Sequence, residues 1–271
     1  MIEQFTINTN TKIKLKNYDP GETSDIVKAD IKEEYAKLKE RFIELQEVFV
    51  ASSKFGLLII LQGMDCSGKD GTVKNALEGV NPNGFVVESF KQPSLEELGH
   101  DYLWRVHKVT PIKGGITVFN RSYYEDVLVT RVHENINDKI ALDRFKEIRD
   151  FEDHLVNNGT IVLKLFLNIS KKFQQKKLES RLETPKKYWK FSSADLAERK
   201  FWDRYQECYE DVLSYCSTQK APWYVIPADN RWFRDYIVLK IIVQKLESLD
   251  LKYPKINGDI EQLIKEVKQS K

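Results

Sequence analysis

The ten residues from Gly63 to Thr72 carry the strongest chemical signal in the sequence. They read GMDCSGKDGT and match the pattern G-x-x-x-x-G-K. In a loop of this kind, glycines let backbone N–H groups turn towards an anion, and the lysine, here Lys69, reaches the outer phosphates. An apolar run, Leu57–Leu61, precedes the loop, and a helical pattern begins near Thr72. The strand, loop and helix together predict a phosphate-binding loop.

Two carboxylates, Asp65 and Asp70, lie within this loop. The residue after the lysine is usually Ser or Thr, whose hydroxyl binds Mg²⁺, but this chain has Asp70. Acidic groups repel phosphate unless a cation lies between them, so we expect Mg²⁺ to bridge carboxylate and phosphate oxygens. A helix N-cap is an equally good interpretation of Asp70, because carboxylates favour helix starts. For Asp65, inside the loop, we favour a metal ligand.

A second polar cluster follows the apolar run Gly115–Phe119, where the next seven residues read NRSYYED. Ligands of open parallel sheets bind at the carboxyl ends of strands, so we expect Arg121 to face the phosphate-binding loop. A buried arginine needs an anionic partner. That partner is either a phosphate or, in a structural ion pair, Glu125 or Asp126. Arg131, slightly downstream, is a further candidate for phosphate binding.

The segment from Lys171 to Arg204 is strongly basic. It has eleven Lys and Arg residues against five Asp and Glu residues, a net charge of +6, while the whole chain has a net charge of +2. Charge runs are usually the solvated faces of helices. Because this run follows a predicted strand in a chain with a phosphate-binding loop, it also predicts a surface for an anion.

Apolar runs alternate with helical patterns along most of the chain. Such runs are typical of strands buried on both faces of a parallel sheet. The five predicted strands are Phe55–Leu61, Phe85–Phe90, Gly115–Phe119, Thr160–Asn168 and Trp223–Ala228. An apolar stripe predicts a helix with Ser24 as its N-cap, and helical patterns also cover Asp138–Leu155 and Ala194–Tyr215. Strands alternating with helices indicate an α/β fold.

Composition narrows the class of protein further. Of 271 residues, 41% are apolar, enough for a core, and the nearly neutral total gives no general case for nucleic-acid binding. Three cysteines, Cys66, Cys208 and Cys216, form no disulfide framework. The start of the chain lacks an apolar stretch suited to secretion, and the run Gly56–Leu61 is too short to span a bilayer. We therefore expect a cytoplasmic protein with no membrane or nucleic-acid partner.

Taken together, these segments resemble the polyphosphate kinase 2 family of P-loop kinases. The resemblance extends from about residue 15 to residue 253. The matching segments are Gly63–Thr72, Asp101–Arg105, Phe119–Arg131, Tyr188–Lys190 and Ala221–Ala228.

The resemblance implies a three-layer P-loop kinase fold, similar to thymidylate kinase, with a five-stranded parallel sheet and a helical lid. We expect an N-terminal extension and helix over residues 1–50, a core over 51–257 with the lid at about 171–204, and a C-terminal tail over 258–271, either a peripheral helix or frayed. The implied reaction is reversible, Mg²⁺-dependent phosphoryl transfer between inorganic polyphosphate and nucleotides. We also expect a homo-oligomer, a dimer or a tetramer.

The family's residue roles carry over to Asp65, Lys69 and Arg121, and its lid roles to the basic stretch that includes Arg181, Lys187 and Lys190. The expected catalytic residues are Asp65, Lys69 and Arg121, with Asp65 and Asp70 as Mg²⁺ ligands. The expected phosphate- and nucleotide-binding residues are Gly63, Cys66, Ser67, Gly68, Asp70, Gly71, Thr72, Glu125, Asp126 and Arg131. The expected polyphosphate-binding residues of the lid are Lys177, Arg181, Lys186, Lys187 and Lys190.

Other interpretations of the sequence stay open. A nucleotide kinase with ATP as the donor shares the loop and the fold, but does not need so basic a lid. A GTPase-like switch is disfavoured because the chain has no N-K-x-D guanine motif. A nucleic-acid-binding protein could stack bases on Tyr188, Trp189 and Phe191. Within the family, Asp70 and Asn120 resemble a branch that also phosphorylates monophosphates, so the acceptor is either a mono- or a diphosphate.

Overall fold

The computed structural model describes residues 2–270 and contains a five-stranded sheet. The strands are β1 (Gly56–Gln62), β2 (Phe85–Ser89), β3 (Ile116–Asn120), β4 (Thr160–Asn168) and β5 (Trp223–Pro227). The α-helices are α1 (Lys32–Ser52), α2 (Lys69–Ala76), α3 (Leu95–Leu98), α4 (Trp104–His107), α5 (Val129–Val132), α6 (Asp138–Asn157), α7 (Lys171–Glu183), α8 (Ser193–Arg199), α9 (Trp202–Cys216), α10 (Arg231–Glu247) and α11 (Ile260–Gln269). Short 3₁₀ helices lie at Ile2–Phe5, Leu15–Asn17, Pro82–Gly84, Tyr123–Val127 and Pro185–Lys190.

The sheet is parallel throughout, with the strand order β2-β3-β1-β4-β5. All seven residues of the central strand β1 are buried, as a continuous apolar run predicts. The predicted fold class is confirmed, and each predicted strand matches an observed one to within one residue at either end. Periodicity in the sequence therefore located the sheet accurately.

The chain crosses the sheet in opposite directions when it leaves β1 and when it leaves β3. It moves one way from β1 to β2, and the opposite way from β2 through β3 and β4 to β5. Right-handed crossovers then put α2 on one face and α6 and α9 on the other. Helix α10 packs against both α1 and α2, while α6 packs against β4 and α9. The reversal leaves a crevice at the carboxyl ends of β1 and β3, where open α/β sheets bind ligands.

The first helix starts later than the sequence predicts. Helix α1 begins at Lys32, and its N-cap position, Ile31, makes no side-chain capping bond. Ser24 and Asp25 have φ angles of 52° and 58°, so the backbone there is left-handed and cannot belong to an α-helix. The expectation that Ser24 caps this helix is therefore wrong.

The basic segment and the tail are helical. Residues 171–204 form α7, α8 and the start of α9, with the Pro185–Lys190 turn between the first two. Helix α11 lies in the predicted tail and is exposed along its whole length, as expected of a peripheral helix. Met1 and Lys271 fall outside the described residues. Over residues 2–270, none of the helices has both the length and the apolar character needed to cross a bilayer.

A buried ion pair ties β4 to α6 inside the core. Lys164 and Glu152 are 0% and 1% exposed, and their nitrogen and oxygen lie 2.6 Å apart. Lys164 also donates to the Cys216 carbonyl at 2.6 Å. The hydroxyls of Tyr123 and Tyr124 donate to Glu152 at 2.8 and 2.7 Å. These bonds compensate the loss of water around both charges.

We expect Lys164→Met to lower the free energy of unfolding by about 3–5 kcal/mol, because it leaves Glu152 charged and buried without its partner. The double variant Lys164→Met/Glu152→Leu should recover part of that loss. Urea unfolding measures both, and Lys220→Met, at an exposed lysine near Asp153, is the control. A cost below about 1 kcal/mol for Lys164→Met would contradict this account of the pair.

Candidate active site

The predicted phosphate-binding loop lies between the end of β1 and the start of α2. Helix α2 begins at Lys69, three residues earlier than expected. Gly63, Cys66 and Gly68 have φ angles of 151°, 70° and 94°. A Cβ added at Gly63 would lie 2.7 Å from the Leu167 carbonyl oxygen. A Cβ added at Gly68 would lie 1.9 Å from Nη1 of Arg234. The tight packing on both sides therefore requires glycine at these two positions.

Lys69 is buried at the start of α2, with 9% of its surface exposed. Its Nζ donates to the Gly63 carbonyl at 2.7 Å, which closes the loop around the ammonium group. Burial lowers the pKa of Lys69, and the nearby Arg121 lowers it further, while Asp65 and Glu125 oppose the shift. The bond to the Gly63 carbonyl thus fixes the side chain at the base of the loop.

Arg121 follows β3 and lies across the crevice from the loop. Its φ angle is 63°, in the left-handed region that non-glycine residues rarely adopt. The Arg121 Nη2 lies 2.7 Å from Asp65 Oδ1. Burial lowers the pKa of Arg121, but Glu125 and Asp65 outweigh it and raise the pKa overall. The sequence predicts Glu125 or Asp126 as a possible ion-pair partner of Arg121, but the carboxylate bonded to Arg121 is that of Asp65.

Asp70 lies in the first turn of α2, and its Oδ1 accepts a 2.5 Å hydrogen bond from Asn120 Nδ2. The N-cap position belongs to Gly68, so the N-cap interpretation of Asp70 is wrong. A carboxylate in the first turn still interacts favourably with the helix dipole. The bond to Asn120 links the loop to the end of β3, so both polar clusters belong to one site.

Glu125 adds a third carboxylate near the loop. Burial raises its pKa, while the charges of Arg121 and Lys69 lower it. In the orientation that gives both ends of the Gln62 amide a partner, its nitrogen lies 3.1 Å from Glu125 Oε1. Glu125 thus balances the two cations of the site without a direct ion pair to either among the described residues.

Asp126 faces a neighbouring cavity. Burial raises the pKa of Asp126, and the charges of Arg144 and Arg105 oppose that shift. The cavity has a volume of about 560 Å³, and its wall includes Tyr102, Arg105, Asp126 and Arg144. Aromatic, acidic and basic side chains thus share one wall, a surface suited to a polar ligand.

Arg131 lies against α6 and α9. Its Nε is 2.7 Å from Asp138 and its Nη1 is 2.7 Å from Asp211. Two carboxylates therefore already neutralise the buried guanidinium, which is sufficient for a structural role. Its assignment as a phosphate ligand stays a prediction that these contacts do not favour.

Two hydroxyl groups, one in the loop and one in the first turn of α2, are buried without a partner among the described residues. Ser67 and Thr72 are 0% and 1% exposed, and their oxygens make no hydrogen bond within residues 2–270. Buried polar atoms are normally satisfied, so the loop is suited to an oxygen-rich ligand or a cation. Cys66, between these residues and Asp65, is half-buried, and burial raises the pKa of its thiol.

Helix α7 contacts the loop through Gln174. This buried side chain donates to the Asp65 carbonyl at 3.0 Å. Its own carbonyl accepts from Arg199 Nη1 at 2.7 Å, and Arg199 also donates to the Lys171 carbonyl at 2.9 Å. Helix α7 therefore lies against the phosphate-binding loop, and Arg199 links α8 to α7. Sequence reasoning missed Gln174, because an uncharged residue within a basic run carries no signal.

The five lid residues named from the sequence have different surroundings. Arg181 donates to the Asp195 carboxylate at 2.5 Å and to the Lys190 carbonyl at 2.9 Å. These bonds link α7 to α8 and to the Pro185–Lys190 turn. Burial lowers the pKa of Lys177, and the charge of Arg231 lowers it further. The exposed lysines of the Pro185–Lys190 turn are Lys186, Lys187 and Lys190. A cationic surface therefore continues from the loop outwards over this turn.

Together, these features define a class of protein. A buried lysine in a glycine loop, an arginine from the adjacent strand and three carboxylates lie at the switch point of a parallel sheet. That arrangement is the one expected of a phosphoryl-transfer site in a P-loop kinase fold.

The sequence profile of the polyphosphate kinase 2 family matches residues 25–254. The chain belongs to this family.

Curated relatives and a solved structure resemble it over nearly their full length. An AMP/ADP-polyphosphate phosphotransferase of Meiothermus ruber is 43% identical over 97% of this chain and 99% of its own. An ADP-polyphosphate phosphotransferase of Rhodopseudomonas palustris is 42% identical over 93% and 92% of the two chains. The crystal structure of a polyphosphate kinase 2 from Arthrobacter aurescens has a TM-score of 0.95 and 39% identity, covering 99% of this chain and 96% of that one.

We expect Arg121→Lys to lower kcat at least about tenfold, because an ammonium group cannot grip a phosphate with two parallel hydrogen bonds. Steady-state kinetics measure the loss, and thermal unfolding checks that the variant folds. Arg149→Lys, at an arginine that bonds only the Tyr215 carbonyl among the described residues, is the control. Normal turnover in Arg121→Lys would instead assign Arg121 to the structural ion pair with Asp65.

Proposed function

We propose that this polyphosphate kinase transfers phosphoryl groups reversibly between inorganic polyphosphate and nucleotides. The acceptors are ADP and GDP, giving ATP and GTP, and also AMP and GMP. The observation that carries the proposal is one continuous site: Lys69 and Arg121 flank a phosphate-binding loop that contacts a basic helical segment through Gln174. A long polyanion needs such an extended basic surface, whereas ATP as a donor does not.

The chemistry follows from charge neutralisation. The attacking group is a terminal phosphate oxygen of the acceptor, which is already anionic near neutral pH, so no strong general base is required. Lys69, Arg121 and the loop amides stabilise the charge on the transferred group and hold donor and acceptor in line. One phosphoanhydride is broken as another forms, so the free energies nearly balance and the reaction runs in both directions.

Mg²⁺ is the expected metal, and the residues present fit it. Asp65 and Asp70 provide the carboxylate oxygens that Mg²⁺ prefers, and the unpartnered hydroxyl of Thr72 lies in the first turn of α2. Within residues 2–270, no group of three or more His, Cys, Asp or Glu side chains could hold a metal. Substrate phosphate oxygens would complete the coordination, and bound Mg²⁺ would neutralise part of their charge.

The ion pair between Asp65 and Arg121 would couple the binding of Mg²⁺ to the binding of phosphate. We assign Asp65 to Mg²⁺ and Arg121 to phosphate, so each side chain has a ligand of opposite charge. In the structure the two side chains neutralise each other, with Arg121 Nη2 and Asp65 Oδ1 2.7 Å apart. Binding of the cation at Asp65 would therefore release Arg121 towards the anion. This exchange favours binding of metal and phosphate together over either one alone.

Two further features belong to the proposal. We place the enzyme in the cytoplasm, consistent with three free cysteines. We also propose a homo-oligomer, a dimer or a tetramer. Exposed apolar side chains on the edge strand β2, Val86 and Val87, and on α11 are surfaces that self-association would cover.

The central test gives the protein polyphosphate, Mg²⁺ and ADP, and measures ATP. We expect ATP to form, and Lys69→Ala to lower kcat by about a hundredfold or more, because it removes the buried cation of the loop. Separate assays with AMP, GMP and GDP identify the acceptors. Activity with ATP as the donor and none with polyphosphate would favour an ordinary nucleotide kinase, and near-normal kcat in a folded Lys69→Ala would reject the loop assignment.

A second test addresses the lid. Replacing Lys186, Lys187 and Lys190 together by Gln should raise KM for long polyphosphate far more than KM for ADP, since a flexible polyanion depends on many weak contacts. The KM for polyphosphate should also rise steeply with salt in the parent enzyme and less steeply in the variant, by the counterion-release argument.

The matched control for this lid variant replaces three exposed lysines near the C-terminus by Gln. These are Lys255, Lys265 and Lys268. The control loses the same charge at another place, so any general effect of net charge appears in both proteins. Equal changes in both KM values for the lid variant would exclude a polyphosphate channel over this segment.

A further inference from the structure

The buried face of α10 holds an ion pair that the sequence analysis did not single out. Arg234 Nε and Nη2 lie 2.8 and 2.7 Å from Asp235 Oδ1. The two residues are 2% and 5% exposed. Removing both ions from water is costly, and the attraction between them repays the cost only when further hydrogen bonds satisfy the remaining groups. Those further bonds lead to the active site.

Arg234 contacts the phosphate-binding loop directly. Its Nη1 donates to the Ser67 carbonyl at 3.0 Å. The same nitrogen occupies the space beside Gly68, where a Cβ would lie only 1.9 Å from it. The absence of a side chain at Gly68 therefore admits the guanidinium beneath the loop.

This contact determines the orientation of one loop amide. The peptide group between Ser67 and Gly68 is planar and trans, so its C=O and N–H point in opposite directions. Arg234 holds the C=O on the α10 side. The N–H of Gly68 therefore points to the other side of the loop, away from the guanidinium.

Asp235 connects the same ion pair to α2. Its Oδ2 accepts a hydrogen bond from Asn75 Nδ2, while its Oδ1 binds Arg234. Asn75 lies on the helix that begins with Lys69. The three residues Arg234, Asp235 and Asn75, here called the α10 clamp, thus join α10 to the loop and to the helix that follows it.

We propose that Arg234 is a positioning residue for phosphoryl transfer: the α10 clamp presets the Gly68 amide as a donor for the bound phosphate chain. The inference rests on the proposed function, because it requires the loop to bind phosphate. A donor that is already oriented loses no free energy to reorganisation when the anion arrives. Without the clamp, the ligand would have to order this peptide itself, and its affinity would fall.

The test measures binding of inorganic tripolyphosphate by calorimetry, and thermal unfolding of each protein. Arg234→Lys keeps the charge, but one ammonium group cannot span the Ser67 carbonyl and Asp235 as the guanidinium does. We expect affinity to fall by about tenfold or more. The matched control is Arg41→Lys, whose arginine pairs with Glu247 at the other end of α10. This control should bind tripolyphosphate as the parent does.

A second variant covers the case in which Arg234→Lys fails to fold. Asn75→Ala leaves the buried ion pair intact and removes only its bond to α2. We expect a smaller loss of affinity, roughly threefold to fivefold, with little change in melting temperature. A fall in melting temperature with unchanged affinity in both variants would make the clamp merely structural and overturn the proposal.

Lys69→Ala separates failure of the clamp from failure of the proposed function. If the parent binds tripolyphosphate, Lys69→Ala does not, and both clamp variants bind normally, the loop assignment stands and the clamp proposal is wrong. If the parent itself binds no tripolyphosphate, the proposed function is wrong and the clamp proposal fails with it.

Discussion

Concentrating positive charge around one small loop is the constraint on which the rest of this structure depends. Lys69 lies inside the loop, Arg121 approaches it from β3, and Arg234 supports it from α10. Like charges this close repel one another in a low-dielectric interior. The fold meets the constraint with carboxylates at hydrogen-bonding distance, Asp65 for Arg121 and Asp235 for Arg234. The two pairs differ in accessibility, because only the pair of Arg121 and Asp65 is open to solvent and therefore to a ligand.

The topology of the sheet makes this concentration possible. The connections that leave β1 and β3 run in opposite directions across the sheet, so the ends of these two strands are not covered by the same crossover helix. Leu61 and Asn120 lie opposite each other in the register of these strands. The residues that follow them, in the loop and at Arg121, therefore meet at one edge. The bond between Asn120 and Asp70 forms at that edge.

Much of this arrangement could be predicted from local sequence patterns. The five strands were found within one residue at either end, because a short continuous apolar run bounded by polar turns is typical of a strand buried on both faces. The loop between β1 and α2 is predictable because glycines and a lysine at this fixed spacing are the pattern of loops that surround a phosphate. The start of α1 was misplaced at Ser24, since a capping residue in sequence does not reveal that its backbone is left-handed.

The sequence by itself determined the elements, the loop and the identity of its catalytic candidates, because each depends on residues close together in the chain. Only the tertiary structure decided which charges pair. In the folded chain Arg121 pairs with Asp65 rather than with Glu125. Arg234 donates to the carbonyl of Ser67, which is 167 residues away along the chain. Such pairings depend on strand register and helix packing, and a pattern of residue types along one chain contains neither.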